Sequence, residues 1–190
     1  MRGNSDADQA ELRRQVRTAP GLTVLTGGQT GVDTIAAQAA LRAGLAVHLV
    51  FPLGLRQEDG GLTPARRRRL AGASVHELSS ASFRARTWAC VGLADVVLLL
   101  DPAGGAGCRE TASAASAIGR PLLEPAAREP TAAQVEHWLA ETAARVLMVA
   151  GCRASVLARQ AGANRVVRAD VTEVIAGAAD WHARLLHGAG

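Results

Sequence analysis

Three glycine-rich segments carry the residue types that could hold an anion. The first segment is 26–33, the second is 104–111 and the third is 151–155; each follows an apolar run and leads into a helical pattern. Glycine permits a sharp turn and lets a ligand approach the backbone closely. The first N–H groups of a helix lack internal partners, and the helix dipole adds partial positive charge there. We therefore expect these segments to bind a phosphate-like anion.

Charged side chains within these segments are candidate binding groups. Asp33 lies just inside the first predicted helix, where it could bond a ligand hydroxyl, bridge a metal on the ligand, or stabilise the helix N-terminus. Arg109 and Arg153 each follow a Gly-Cys pair at a predicted helix start. A guanidinium at such a position would strengthen the attraction of an anion.

Short apolar runs alternate with longer segments of helical spacing, and these elements must position the glycine-rich segments. The runs predict strands and the longer segments predict helices. Thr131, with Gln134 three residues later, predicts a capped helix N-terminus. The predicted strands are 22–26, 47–51, 74–78, 96–100, 121–124, 146–150 and 165–168, and the predicted helices are 32–43, 83–93, 109–118, 132–144, 154–161 and 171–186.

The predicted fold class is α/β, with a Rossmann-like open, mainly parallel sheet and helices on both faces. Continuous Val and Leu runs are typical of strands buried on both faces, and the alternation of strands with helices predicts βαβ units. We expect residues 1–19 to form an N-terminal helix or a flexible tail and 20–190 to form a single ligand-binding domain, with 52–72 as its longest irregular stretch. In such a sheet the segments that follow strands share one edge. The three segments should therefore face a common cavity with unpaired amides.

The composition excludes several other kinds of site. The 190 residues contain no Lys, which rules out a Schiff-base lysine and a P-loop lysine. The three Cys are widely separated and the five His form no close pair, so neither a disulfide framework nor a protein-only metal site is expected. The net charge is +4, and aromatic residues are scarce, so nucleic-acid binding is disfavoured despite four consecutive Arg at 66–69. No apolar run suits a membrane span or a signal peptide, and we expect a cytoplasmic protein.

Several motifs resemble those of the putative molybdenum cofactor carrier family. The resemblance covers roughly residues 22–160. That family belongs to a Rossmann-like superfamily that also contains the LOG phosphoribohydrolases and the DNA-processing protein DprA. The motifs are Gly27-Gly28-Gln29-Thr30-Gly31-Val32-Asp33, Pro52-x-Gly54-x-Arg56-x-Glu58-Asp59-Gly60, Arg86-Thr87 and Val149-Ala150-Gly151-x-Arg153-x-Ser155.

The resemblance implies that the chain binds a phosphorylated pterin- or nucleotide-like molecule, with the molybdenum cofactor (molybdopterin) or a nucleotide as the bound group, and that it forms a homo-oligomer. Three functions stay open: a binding or carrier protein, a LOG-like nucleotide N-glycosidase that cleaves a base from a nucleoside monophosphate, and a non-catalytic nucleotide sensor. Arg56 could clamp a phosphate, and Glu58 or Asp59 could act as a general base or hold a ribose. The expected binding residues are Gly27, Gly28, Gln29, Thr30, Gly31, Asp33, Arg56, Glu58, Asp59, Arg86, Thr87, Gly104, Gly105, Gly107, Cys108, Arg109, Thr111, Gly151 and Arg153.

The second segment departs from the LOG-type pattern GGxGTxxE. Cys108 replaces the Thr, the acid falls at Glu110, and Thr111 stands where the acid usually lies. Glu110 and Asp33 are the candidate catalytic residues, with Glu110 as catalyst or as stabiliser of an oxocarbenium-like state. Cys108 and Cys152, at predicted helix starts, could be thiol nucleophiles or sulfur ligands to molybdenum, or small residues that fill tight turns. Leu53 and Leu55 stand where the carrier family usually has Lys and Arg.

Overall fold

The computed structural model describes residues 6–100, 105–124, 131–159 and 163–187. Gly104 of the candidate site lies outside these ranges. The elements in chain order are α1 (Asp6–Arg17), β1 (Thr23–Thr26), α2 (Val32–Arg42), β2 (Ala46–Phe51), β3 (Arg56–Gln57), β4 (Gly60–Gly61), α3 (Pro64–Arg69), β5 (Ser74–Glu77), α4 (Phe83–Leu93), β6 (Val96–Leu100), α5 (Ala106–Ile118), β7 (Leu122–Leu123), α6 (Ala132–Thr142), β8 (Val146–Gly151), α7 (Ala154–Leu157) and α8 (Ala163–His187).

Six strands form one parallel sheet in the order β5-β2-β1-β8-β6-β7. The strand β8 lies between β1 and β6, so the three strands that precede the glycine-rich segments are neighbours. A separate antiparallel hairpin joins β3 and β4. The predicted Rossmann-like α/β fold with an open parallel sheet is confirmed.

Successive residues of the central strands are buried against opposite layers of helices. Val97 and Leu99 pack with apolar residues of α1, α4 and α5, whereas Val96, Leu98 and Leu100 pack with those of α2, α6 and α8. This double burial explains the continuous apolar runs, because neither face of the strand meets water. Each fully buried Leu contributes about 2 kcal/mol of transfer free energy to the free energy of folding.

Six of the seven predicted strands are confirmed, with ends that shift by no more than one residue. The predicted strand 165–168 is wrong, because these residues lie in the long helix α8. The β-branched pair in the sequence RVVR locally favours a strand, but Val171, Val174, Ile175 and Ala178 are buried at helical spacing. Tertiary packing of this apolar stripe therefore determines the whole segment.

The segment 52–72 contains the hairpin β3–β4 and the helix α3, so the prediction of one long irregular stretch is wrong. Thr63 caps α3 by accepting a hydrogen bond from the Arg66 amide at 3.2 Å, and Pro64 occupies the first turn. Thr-Pro before a helix is a start signal that the sequence analysis missed.

The predicted helices are present, with changes at their ends. The helix α5 begins at Ala106, three residues earlier than predicted, and α7 covers only Ala154–Leu157 of the predicted 154–161, whose last two residues lie outside the described ranges. The capping box of Thr131 and Gln134 is confirmed.

At the N-terminus, α1 packs Leu12 and Val16 into the core. Among the described helices, none combines the length and apolar character that a membrane crossing requires.

Candidate functional site

A cleft of about 240 Å³ opens at the carboxyl ends of β1, β8 and β6. Its walls come from all three glycine-rich segments and from the first turns of α4. The lining residues are Gln29, Asp33, Phe83, Arg84, Arg86, Thr87, Ala106, Gly107, Cys108, Glu110, Thr111, Met148, Ala150, Gly151 and Arg153. The carboxyl ends of the strands, arginine side chains and two carboxylates thus meet at one edge of the sheet. This is the edge where open α/β folds bind ligands.

The glycines of the first segment are in close contact with other parts of the protein. A Cβ on Gly27 would lie 1.1 Å from Arg86 Nη1, and one on Gly28 would lie 2.4 Å from the Phe51 ring. Gly31 has φ 80° and would bring a Cβ within 2.3 Å of the Cys152 carbonyl oxygen. These glycines are therefore required by packing within the protein, whether or not a ligand binds.

The glycine of the third segment is also required by packing within the protein. A Cβ on Gly151 would lie 2.0 Å from the Leu100 carbonyl oxygen, so the strand pair β6–β8 itself requires glycine there. Arg153 follows at the N-cap of α7 and lines the cleft.

Most amides of the first and third segments already have partners. The Val32 amide donates to the Cys152 carbonyl at 3.0 Å, and the Gln29 amide donates to Asp33 Oδ2 at 3.1 Å. The Ala154 amide donates to Thr30 Oγ1 at 3.3 Å, and the Ser155 amide donates to Glu58 Oε1 at 3.2 Å. The bonds of Val32 and Ala154 join the two segments to each other. The expectation of unpaired amides is therefore wrong for these four donors.

Glu58 connects the hairpin segment to both of these glycine-rich segments. Its carboxylate accepts hydrogen bonds from the Thr30 hydroxyl and from the Ser155 amide and hydroxyl. Burial opposes ionisation of Glu58, but the bonds from Ser155 and Thr30 outweigh it and lower the pKa of the carboxyl group. The Gln29 side-chain oxygen accepts from the Glu58 amide at 3.0 Å. The carboxylate therefore acts as a structural link beside the cleft.

Asp33 and Arg86 form a buried ion pair at the floor of the cleft. The Arg86 Nη1 atom lies 3.5 Å from Asp33 Oδ2, and their side chains are 7% and 6% exposed. Burial raises the pKa of Asp33, although Arg86 and the Gln29 amide favour the ionised form. The long separation leaves the guanidinium incompletely satisfied by its carboxylate.

Two buried donors that line the cleft have no hydrogen-bond partner among the described residues. They are Gln29 Nε2 and Arg86 Nε, on side chains that are 4% and 6% exposed. An unmet buried donor costs about 1–3 kcal/mol, and more when it is charged. Two such donors, one of them on a cationic group, leave hydrogen-bonding capacity unmet on two residues that line the cleft.

The start of α5 forms the open side of the cleft. Gly105 is the N-cap and supplies no side-chain hydrogen bond, and a Cβ added to Gly105 or Gly107 would meet nothing within 4 Å. Thr111 bonds back to the Gly107 carbonyl at 3.1 Å, so its hydroxyl belongs to the helix. This 13-residue helix directs its positive dipole end toward the cleft.

Glu110 lies on the wall of the cleft with two partners. Its Oε1 accepts from Trp88 Nε1 at 2.5 Å and from Arg84 Nε at 2.9 Å. The Trp88 hydrogen bond and the Arg84 charge lower the pKa of this carboxyl group. Glu110 is therefore an ionised carboxylate at neutral pH, suited to stabilising positive charge and not to donating a proton.

Phe83 forms an aromatic wall with two arginines beside it. The guanidinium carbons of Arg56 and Arg153 each lie 5.4 Å from the Phe83 ring centroid. Arg56 is exposed and also reaches the Ala81 carbonyl. Thr87 bonds to the Phe83 carbonyl at 3.1 Å within α4. Flat cationic and aromatic groups thus occur together on one side of the cleft.

The other candidate residues lie at the periphery or in the interior. Asp59 pairs with Arg66, and Arg109 is exposed near the start of α5 and is absent from the cleft walls. Cys108 and Cys152 are buried and form no disulfide, and of the two only Cys108 lines the cleft. Within the described ranges, no group of three or more His, Cys, Asp or Glu residues could hold a metal.

Five residues of the cleft were not among those expected from the sequence: Phe83, Arg84, Ala106, Met148 and Ala150. Phe83 lies one helical turn before Arg86 on α4, so helical spacing could have identified it. Met148 carries no signal of this kind, because it reads as an ordinary residue of a buried strand.

Comparison with known proteins agrees with this architecture. The sequence profile of the circularly permutated YpsA SLOG family matches residues 24–174. A crystal structure of a protein named putative molybdenum carrier protein, from Syntrophus aciditrophicus SB, superposes with a TM-score of 0.66 at 20% sequence identity. The alignment covers 82% of this chain and 96% of that chain. No curated protein matches the sequence.

Proposed function

The chain belongs to the circularly permutated YpsA SLOG family, and on this premise we propose that its cleft binds a phosphorylated pterin- or nucleotide-like small molecule. The observation that carries the proposal is the pair of unmet buried donors, Gln29 Nε2 and Arg86 Nε. An oxyanion fits them because it supplies acceptors only and brings negative charge to the guanidinium.

The phosphate would lie between these donors and the start of α5. The open space beside Gly105 and Gly107 allows close approach to the helix amides, and the helix dipole favours an anion there. The ring of the ligand would then lie along Phe83 and Arg153, where flat groups can stack. Because the cleft is smaller than the roughly 300–1,000 Å³ of typical ligand pockets, part of the ligand would extend past the rim.

The molybdenum cofactor is one candidate, since the similar solved structure carries the name of a molybdenum carrier. Its pterin phosphate suits the same donors, and Cys108 is the one cysteine on the cleft wall. When bound, this group would supply molybdenum chemistry, while the residues of the chain would bind and orient its phosphate.

Thermal unfolding with a ligand panel tests the proposal. AMP, GMP and a phosphorylated pterin should stabilise the protein by about 2.7 kcal/mol at a concentration 100-fold above the dissociation constant, whereas adenosine and unphosphorylated pterin should have little effect. Gly107→Leu should abolish the shift by filling the open side of the cleft. Gly92→Leu is the matched control, because Gly92 is also a helical glycine with open space around its Cβ position.

Two results would contradict binding in this cleft. One is the absence of a shift with every phosphorylated ligand and with the molybdenum cofactor. The other is an equal shift in Gly107→Leu and in the control.

A second candidate function is hydrolysis of the N-glycosidic bond of a nucleoside monophosphate. The ionised Glu110 on the cleft wall favours it, because a carboxylate beside the sugar would stabilise an oxocarbenium-like transition state. Incubation with AMP and CMP should release free base, and Glu110→Gln should abolish the release while retaining nucleotide binding. Nucleotide binding without any release of free base would contradict hydrolysis and would support only the binding or carrier function.

A further inference from the structure

We propose that His48 and His76 form a binding site for a divalent transition-metal ion, with water completing its coordination. The pair lies away from the ligand cleft, on the face of the sheet that α1 covers, and the proposal does not depend on the cleft.

Adjacent parallel strands hold the two imidazoles in place. In the register of β2 and β5, His48 is opposite Ser74, which places His76 two residues further on the same face. The ring planes lie within 2° of parallel and the centroids are 5.0 Å apart, so the rings meet edge to edge and neither lies over the other. His48 Nδ1 lies 2.7 Å from His76 Nε2, a contact that requires a lone pair on at least one of the two nitrogens.

A metal ion could replace the hydrogen between these two nitrogens if the rings tilt and move apart. Two nitrogens bound to one tetrahedral ion at about 2.0–2.1 Å lie about 3.3–3.4 Å apart, so the two atoms need to separate by about 0.6–0.7 Å. His48 is 6% exposed and fixed in the sheet, whereas His76 is partly exposed on the edge strand. The donating ring would move its hydrogen to its other nitrogen, so that both contact atoms carry a lone pair that can bind the metal.

The surroundings give a hydrated ion access and room for its water ligands. One cleft of about 430 Å³ is lined by both histidines, and a second of about 520 Å³ reaches His76 from the other side; Gln15 lines both. The side-chain nitrogen of Gln15, Nε2, donates to Glu11 Oε1 at 2.6 Å, and its side-chain oxygen could serve as a further ligand.

The ligand set determines the class of metal. Neutral imidazole nitrogens suit Zn²⁺, Ni²⁺ and Cu²⁺, whereas Mg²⁺ and Ca²⁺ require oxygen-rich sites. With two protein nitrogens the site should follow the Irving–Williams order, with Cu²⁺ bound more tightly than Ni²⁺.

Isothermal titration of the full chain without an affinity tag tests the proposal, with ZnCl₂, NiCl₂, CuCl₂ and MgCl₂ as separate probes. We expect one equivalent of Zn²⁺, Ni²⁺ or Cu²⁺ and no binding of Mg²⁺. His76→Asn and His48→Gln should each weaken Zn²⁺ binding about tenfold or more. His137→Gln is the matched control, because this exposed histidine pairs only with Glu141 one turn away on α6.

Unfolding curves for each variant separate a folding defect from lost affinity. His76→Asn is the decisive variant, since this partly exposed side chain can be changed without opening the core. No Zn²⁺ binding by the wild-type chain, or equal affinity in His76→Asn and His137→Gln, would overturn the proposal.

Discussion

The first segment and the start of α5 are both rich in glycine, yet their surroundings differ completely. Around Gly27, Gly28 and Gly31 every Cβ position is occupied by Arg86, Phe51 or the backbone near Cys152, whereas around Gly105 and Gly107 the space is open. Glycine in the first region serves internal packing, and glycine in the second leaves room for a ligand. A glycine-rich pattern alone therefore does not identify a binding loop.

The largest expected effect comes from Gly31→Ala. The new methyl would meet the Cys152 carbonyl at 2.3 Å in a backbone of φ 80°, so we expect a loss of about 4 kcal/mol in the free energy of unfolding. Gly107→Ala should instead be neutral or stabilise by up to about 1 kcal/mol. Urea denaturation of both variants measures the contrast, and equal losses would remove the distinction between the two regions.

A loss of about 3 kcal/mol is expected for Arg86→Gln, because it leaves the buried Asp33 carboxylate without its cation. The double variant with Asp33→Asn should recover much of that stability and still fail to bind phosphorylated ligands. Chemical denaturation and ligand titration of both variants check this. Failure of Asp33→Asn to restore any stability would mean that Arg86 acts mainly through its packing on Gly27.

Glu58→Gln should lower the free energy of unfolding by about 2 kcal/mol, because its charge-assisted bonds to Thr30 and Ser155 join three segments. Asp59→Asn is the neighbouring control; its exposed pair with Arg66 contributes about 0–1 kcal/mol. Thermal unfolding of the two variants gives the comparison. Similar losses of stability in the two variants would show that Glu58 does not hold the three segments together.

The smallest effect is a pH dependence with opposite signs for two carboxylates. The pKa of Glu58 is lowered in the folded state, so its contribution to stability is present above its ordinary value of 4.5 and is lost as the pH falls below it. The pKa of Asp33 is raised, so its contribution is largest at low pH and decreases as the pH rises above 3.8. Unfolding measured from pH 3 to 6 should therefore show a shallower acid loss in Glu58→Gln and a steeper one in Asp33→Asn.

Sequence patterns predicted the sheet well, because strands buried on both faces produce continuous apolar runs such as Val96–Leu100. They also indicated the correct edge for the cleft. The partners that explain each glycine could not be predicted, since Gly31 meets Cys152 and Gly27 meets Arg86 across long stretches of chain. Local preference misled the prediction of 165–168, where packing of the following helix decides the structure.

The position of β8 has a consequence for biosynthesis. Because β8 pairs with both β1 and β6, these two strands have no partner between them until residues 146–151 have been synthesised. Between the synthesis of β6, which ends at Leu100, and that of β8, the nascent chain therefore carries two unpaired inner edges, a state that is prone to aggregation. The cleft between β1, β8 and β6 cannot form before residue 151 has been synthesised, so a ligand of the proposed site would bind late in synthesis or after it.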